Sequence, residues 1–165
     1  MKKISIAFTG PSNSGKTTAI VKIAEKLTKK YKVAIIKNDP GDKARFDVEG
    51  KDSWKFSQTG ANVAVVSPTR TTIFFQENKS IKDVAKLLGD YDILIVEGLK
   101  HLDLPRIGVF RNSIDTAYFP YINAIACDNS INVSDYQIPE KIDILDLNDT
   151  NMIIDWIFKN GVEND

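Results

Sequence analysis

The chain has 165 residues, with 22 basic and 22 acidic side chains and a formal net charge of zero. That balance argues against a general nucleic-acid binder or a protein of anionic membrane surfaces. A hydrophobic content of 42% is ordinary for a soluble globular chain, and the length fits one domain over 1–165.

One Cys excludes an intrachain disulfide framework. Cys127 lies in an apolar run and reads as a buried thiol in a reducing compartment, so a cytoplasmic location is expected. Met1-Lys2-Lys3 leads straight into an apolar run too short for a signal peptide. No stretch reaches membrane-spanning length.

Ile4–Phe8 predicts a buried strand. It runs into Gly10-Pro11-Ser12-Asn13-Ser14-Gly15-Lys16-Thr17, which fits the phosphate-loop pattern G-x-x-x-x-G-K-[ST] without a mismatch. Gly10 and Gly15 let the chain curl so that successive backbone N–H groups, including those of Asn13, Ser14 and Thr18, point inward to hold an anion. Lys16 would reach the β- and γ-phosphates, and the Thr17 hydroxyl would ligate Mg²⁺.

A helix is expected over about 16–30, with Ile20, Ile23, Ala24 and Leu27 on its apolar face. Lys32–Lys37 is the next strand and should run parallel to the first. Asn38–Gly50 is a polar loop. Asp52 or Ser53 should cap a short helix ending near Gly60. Val63–Val66 and Thr71–Phe75 read as two strands joined by a turn at Ser67-Pro68. Ser80 with Asp83 starts a capped helix whose apolar face is Ile81, Val84, Leu87 and Leu88. Asp92–Val96, Ile107–Phe110, Ile122–Cys127 and Ile142–Leu145 are further strands. Asp149 or Thr150 caps a last helix that buries Ile153, Trp156 and Ile157, and 162–165 should fray. The alternation predicts an α/β fold of the P-loop NTPase type: a mostly parallel open sheet with helices on both faces. Ligands would bind beyond the carboxyl ends of its strands.

The turns at that edge carry the candidate chemistry. Asp92-Ile93-Leu94-Ile95-Val96-Glu97-Gly98 is a Walker-B-like element. Glu97 would act on the metal, directly or through a bound water, and Gly98 would leave its amide free for the γ-phosphate. The loop carboxylates Asp39, Asp42, Asp47 and Glu49 are candidates for Mg²⁺ or for positioning water. Asp47 is the first choice, and each is equally readable as a solvated acid. Lys51 would contact an anionic substrate or a partner's nucleotide, or simply start a helix. Lys100, Arg106 and Arg111 would line an anion surface, or stay solvated. The guanine-reading motif Asn-Lys-x-Asp is absent. The nearest substitute is Ala126-Cys127-Asp128, where Asp128 is either an acceptor for guanine or a turn residue. The lone His101 with one distant Cys does not make a soft-ligand metal site, which argues against a metallochaperone.

Taken in order, Gly10–Thr18, Gly50-Lys51-Asp52-Ser53, Thr59-Gly60-Ala61, Val96–His101, Arg106–Arg111, Ile125–Asp128 and Leu145–Asp149 resemble the molybdopterin-guanine dinucleotide biosynthesis protein B (MobB) family. The resemblance covers nearly the whole chain. It implies a GTP-binding P-loop protein with weak GTPase activity, usually a homodimer. Such a protein assists the MobA-type guanylyltransferase that attaches GMP to molybdopterin. It carries Lys16 and Thr17 over as nucleotide and Mg²⁺ residues, Glu97 as the Walker-B residue, and Lys51, Asp52 and Ser53 as the signature segment. The sequence departs from the family after the second strand. A His-rich stretch is replaced by Lys37–Ala44, and an Asp-x-Asp-x-Pro-Gly segment is shortened to Asp47–Gly50. The competing reading is a small P-loop kinase acting on a metabolite, but Arg45, Arg70, Arg106 and Arg111 are scattered where a kinase lid would cluster them.

Overall fold

The computed structural model describes residues 3–164. They fall into two compact bodies: one holds the chain up to Asn38 and from Ala85 on, the other Asp39–Val84.

The first body is built on β1 (Lys3–Thr9), α1 (Lys16–Leu27) and β2 (Val33–Lys37). The other body carries α2 (Asp52–Ser57), β3 (Val63–Val66) and β4 (Thr71–Phe74), and α3 (Ile81–Leu87) crosses the boundary. The chain returns to the first body as β5 (Ile93–Glu97), β6 (Arg106–Phe110), β7 (Ala124–Cys127) and β8 (Asp143–Asp146), then α4 (Thr150–Asn160) and β9 (Val162–Asn164). The strand order is β2-β5-β1-β6-β7-β8, all parallel, with β9 antiparallel to β1.

These strands are continuous apolar runs because both sheet faces are covered. On one face, Ile6, Phe8, Ile93, Ile95, Ile107, Val109, Ala124 and Ala126 pack with Ile20, Ile23 and Leu27 of α1 and Ile153, Trp156 and Ile157 of α4. On the other, Phe110, Ile125 and Cys127 pack against the 3-10 helix Thr116–Tyr121 through Tyr118 and Phe119. Asp149 caps α4, accepting from the Asn151 and Met152 N–H groups at 3.0 Å each, as expected of an Asp before an apolar helical run. Trp156 buries its ring and donates from Nε1 to Asp143 at 2.7 Å.

Three expectations are corrected. Residues 162–164 do not fray: β6 pairs with β1 only over Ala7–Thr9, and β9 fills the rest of that edge at Lys3–Ser5. The residue capping α2 is Lys51, not Asp52 or Ser53, and the helix has no side-chain cap. Ser80 caps α3 as expected, but the helix buries Ala85 and leaves Leu87 and Leu88 exposed. In the second body β3 and β4 form the expected antiparallel hairpin.

Candidate nucleotide site

β1 delivers the chain to Gly10, whose φ is 139° and whose back lies against the Val109 carbonyl. A Cβ there would collide with that oxygen, so only glycine fits. Asn13 and Gly15 both take positive φ, at 61° and 94°, and curl the loop onto the start of α1. The first intrahelical bond runs from the Ala19 N–H to the Gly15 carbonyl at 2.9 Å. The N–H groups of Lys16, Thr17 and Thr18 therefore precede the ladder. No side chain caps this helix, and its first turn carries no acid, so its positive end is uncompensated. Ser14 is 3% exposed and its Oγ has no hydrogen-bond partner. An orphaned hydroxyl and uncapped amides suit an anion.

The Lys16 ammonium donates to the carbonyls of Gly10 at 2.9 Å and Pro11 at 2.6 Å. Register brings two more charges alongside. Phe8 of β1 pairs with Glu97 of β5, and Glu97 with Lys37 of β2. The Lys37 ammonium donates to Glu97 Oε2 at 2.7 Å. Burial pushes the Lys16 pKa below its ordinary value, with Glu97 pulling it up and Lys37 pushing it down. Lys16, Glu97 and Lys37 thus form one electrostatic cluster.

The turn after β5 differs from expectation in two respects. The Gly98 amide is not free: it donates to the Phe8 carbonyl at 2.8 Å and extends the β1–β5 ladder. Arg106 belongs to no anion surface. It is 0% exposed, and its guanidinium donates to the carbonyls of Gly98 at 2.7 Å and of Leu99 and Leu102 at 2.8 Å each. The Lys100 ammonium rests 5.3 Å from the Tyr121 ring centroid.

On the other flank of the loop, Arg111 follows β6 and Asp128 follows β7. Arg111 Nε donates to Asp128 Oδ2 at 2.9 Å. An outer guanidinium nitrogen lies 3.5 Å from where a Cβ on Gly15 would sit, and a Leu147 methyl 3.7 Å from the same point. Asp128 Oδ1 accepts from the Ser130 hydroxyl and, at 3.0 Å, from the Ser130 N–H. Those Ser130 bonds, with Arg111 adding to them, hold the Asp128 carboxyl below the usual carboxylate range.

The remaining candidates are in the second body. Asp47 Oδ1 accepts from the Val48 N–H at 2.8 Å and the Ser53 hydroxyl at 2.9 Å, and its Oδ2 is buried without a partner. Asp39 Oδ2 accepts from the Lys43 and Ala44 N–H groups at 2.7 and 2.6 Å. These carboxylates order their own loop. Asp52 sits 3.9 Å from the Lys55 ammonium. An open cavity of 470 Å³ is lined by Arg45, Phe46, Asp47, Glu49, Trp54 and Phe74, among others.

Residues 5–128 match the family model for MobB, molybdopterin guanine dinucleotide synthesis protein B. The chain belongs to the MobB family. A putative molybdopterin-guanine dinucleotide biosynthesis adapter protein of Methanocaldococcus jannaschii is 33% identical over 113 residues, 65% of this chain. That match spans 47%, about half, of the relative's own length. The molybdopterin-guanine dinucleotide biosynthesis adapter protein of Haemophilus influenzae is 28% identical over 160 residues, 92% of this chain and 86% of that protein. The crystal structure of Bacillus subtilis MobB aligns with a TM-score of 0.77 at 20% identity, covering 98% of this chain and 99% of that one. It shows the same fold.

The part matched to the MobB model takes in the phosphate loop, Glu97, Arg111 and Asp128. Sequence reasoning misses Lys37 and misreads Arg106. The signal for Lys37 was register: two parallel strands ending in Lys and Glu place the pair together. Arg106 carried no such signal, since its burial follows from the β1–β6 pairing opposite Ala7.

Proposed function

We propose that this chain binds GTP with Mg²⁺ at its phosphate loop, as an adapter protein in molybdopterin-guanine dinucleotide biosynthesis. The observation that carries the nucleotide reading is the loop itself. Gly10, Asn13 and Gly15 give it its curl, Ser14 brings an unpaired buried hydroxyl, and Lys16 spans it. The adapter role rests on membership of the MobB family and on the names of its relatives.

In this reading the amides of Ser14, Gly15, Lys16, Thr17 and Thr18 hold the phosphates. Lys16 leaves the loop carbonyls for the β- and γ-phosphate oxygens. The Thr17 hydroxyl and Glu97 hold Mg²⁺, which neutralises phosphate charge. Glu97 offers the metal Oε1, since Lys37 holds Oε2. Hydrolysis by the chain alone is slow in this reading: Arg111, which reaches Gly15, is already tied to Asp128. Asp47 remains the loop carboxylate proposed to assist, through Oδ2, since Oδ1 holds the Ser53 hydroxyl. Lys51, Asp52, Ser53 and Lys100 are proposed contacts for substrate or partner. The partner is a MobA-type guanylyltransferase, and the working unit is a homodimer in the cytoplasm. Among the described residues no helix is long and apolar enough to cross a membrane.

The test is GTP and ATP affinity with Mg²⁺, measured with and without the GMP-transferring partner. GTP should bind more tightly than ATP and should change the affinity for the partner. ATP binding as tight as GTP, with a phosphorylated small metabolite as product, would establish a kinase instead.

A further inference from the structure

The strand order divides the edge around the phosphate loop. Lys37 and Glu97 end β2 and β5 on one side of β1, while Arg111, Asp128 and Leu147 follow β6, β7 and β8 on the other. The charges suited to metal and terminal phosphate lie on the first side. The rest of a bound nucleotide must then extend toward the second.

On that side Arg111 reaches over Gly15 beside the buried Leu147. Its Nε is tied to Asp128, and Asp128 is itself fixed by two bonds from Ser130. The pairing has two effects. It neutralises the Arg111 charge, which lowers its value as a phosphate ligand. It also fixes the guanidinium plane, and a fixed plane offers a flat face to an aromatic ring. Asp128 has little left for the base, because Ser130 occupies one carboxylate oxygen and Arg111 the other.

We propose that Arg111 is the base-side contact of this site, its guanidinium stacking on the purine, and that Asp128 acts through it as a positioning residue without reading guanine. The assignment rests on the nucleotide-binding reading above.

The experiment compares GTP and inorganic tripolyphosphate, which has no base, as ligands of the full chain with Mg²⁺ by calorimetry. Arg111→Ala should weaken GTP about tenfold, as loss of a stacking contact does, and leave tripolyphosphate binding within twofold. Arg111→Lys should behave like Arg111→Ala, because an ammonium has no flat face. Asp128→Ala should weaken GTP to the same extent, and the double variant should be no worse than either single one.

Three outcomes would overturn the proposal. The first is unchanged GTP affinity in folded Arg111→Ala. The second is an equal loss for tripolyphosphate, which makes Arg111 a phosphate ligand. The third is a gain of xanthosine triphosphate binding by Asp128→Asn, since that amide complements the extra carbonyl of xanthine only if Asp128 touches the base. If wild type binds neither GTP nor tripolyphosphate, the nucleotide reading falls and this proposal with it.

Discussion

The Lys37 ammonium meets the Glu97 carboxylate at 2.7 Å, across two strands that are adjacent in the sheet but 60 residues apart in the chain. Lys37 is 64% exposed and Glu97 14%, so the pair adds little to stability. Its effect is local. It fixes one oxygen of the carboxylate and leaves the other outside the pair.

Glu97→Gln keeps the side chain's shape and removes its charge. GTP affinity should stay within a few-fold, while single-turnover hydrolysis should fall at least tenfold and stimulation of GMP attachment should fall with it. Phosphate release at the wild-type rate would assign Glu97 to structure. Lys37→Ala is the control. It frees Glu97 Oε2, so it should not reproduce the loss.

Arg106 lies wholly buried and holds three carbonyls of the turn after β5. Arg106→Met keeps most of the apolar stem but takes a donor from each carbonyl: those of Leu99 and Leu102 keep the Leu102 and Leu104 N–H groups, while that of Gly98 is left unpaired, at about 1–3 kcal/mol. Urea unfolding should show a loss of about 1–3 kcal/mol. Arg106→Lys should recover only part of it, because an ammonium does not reproduce the fork.

Lys16→Ala removes a charge-assisted contact and should weaken GTP by about 1.5–3 kcal/mol, roughly ten- to more than a hundredfold. The lowered Lys16 pKa adds a pH signature. Phosphate favours the ammonium, so binding raises that pKa and takes up a proton wherever the free loop holds the amine neutral. GTP affinity should therefore begin to fall, as pH rises, below the ordinary lysine value of 10.5. Titration across the alkaline range checks this, and Lys16→Arg should flatten the fall.

Cys127 ends β7 with only 7% of its surface exposed. Burial raises its thiol pKa, and Asp128 and Asp146 raise it further. Its thiolate fraction at neutral pH is correspondingly small. Iodoacetamide should label it at least tenfold more slowly in native protein than in urea. Equal rates would mean that the end of β7 opens freely.

The phosphate loop was legible because its chemistry is local: two glycines, a lysine and a threonine at fixed spacing do the same thing wherever a strand precedes and a helix follows. The apolar runs of β1, β5 and β7 were legible for the same kind of reason. What failed depends on neighbours far along the chain. Arg106 reads as a surface cation until β6 is laid against β1. Gly98 reads as a free amide until its N–H is seen to continue the ladder to Phe8. The segment 162–164 has no alternating pattern, yet it pairs because an unfilled stretch of β1 lies beside it. Leu87 and Leu88 obey helical periodicity but stay exposed, since period alone does not say what faces the helix.

The charges flanking the loop are nearly balanced. Lys16, Lys37 and Arg111 stand against Glu97 and Asp128, in a chain whose formal charge is zero. Such a site draws a polyanion from short range only. Its association rate should change little with ionic strength. Selectivity for one nucleotide over another then has to be expressed in how slowly the right one leaves.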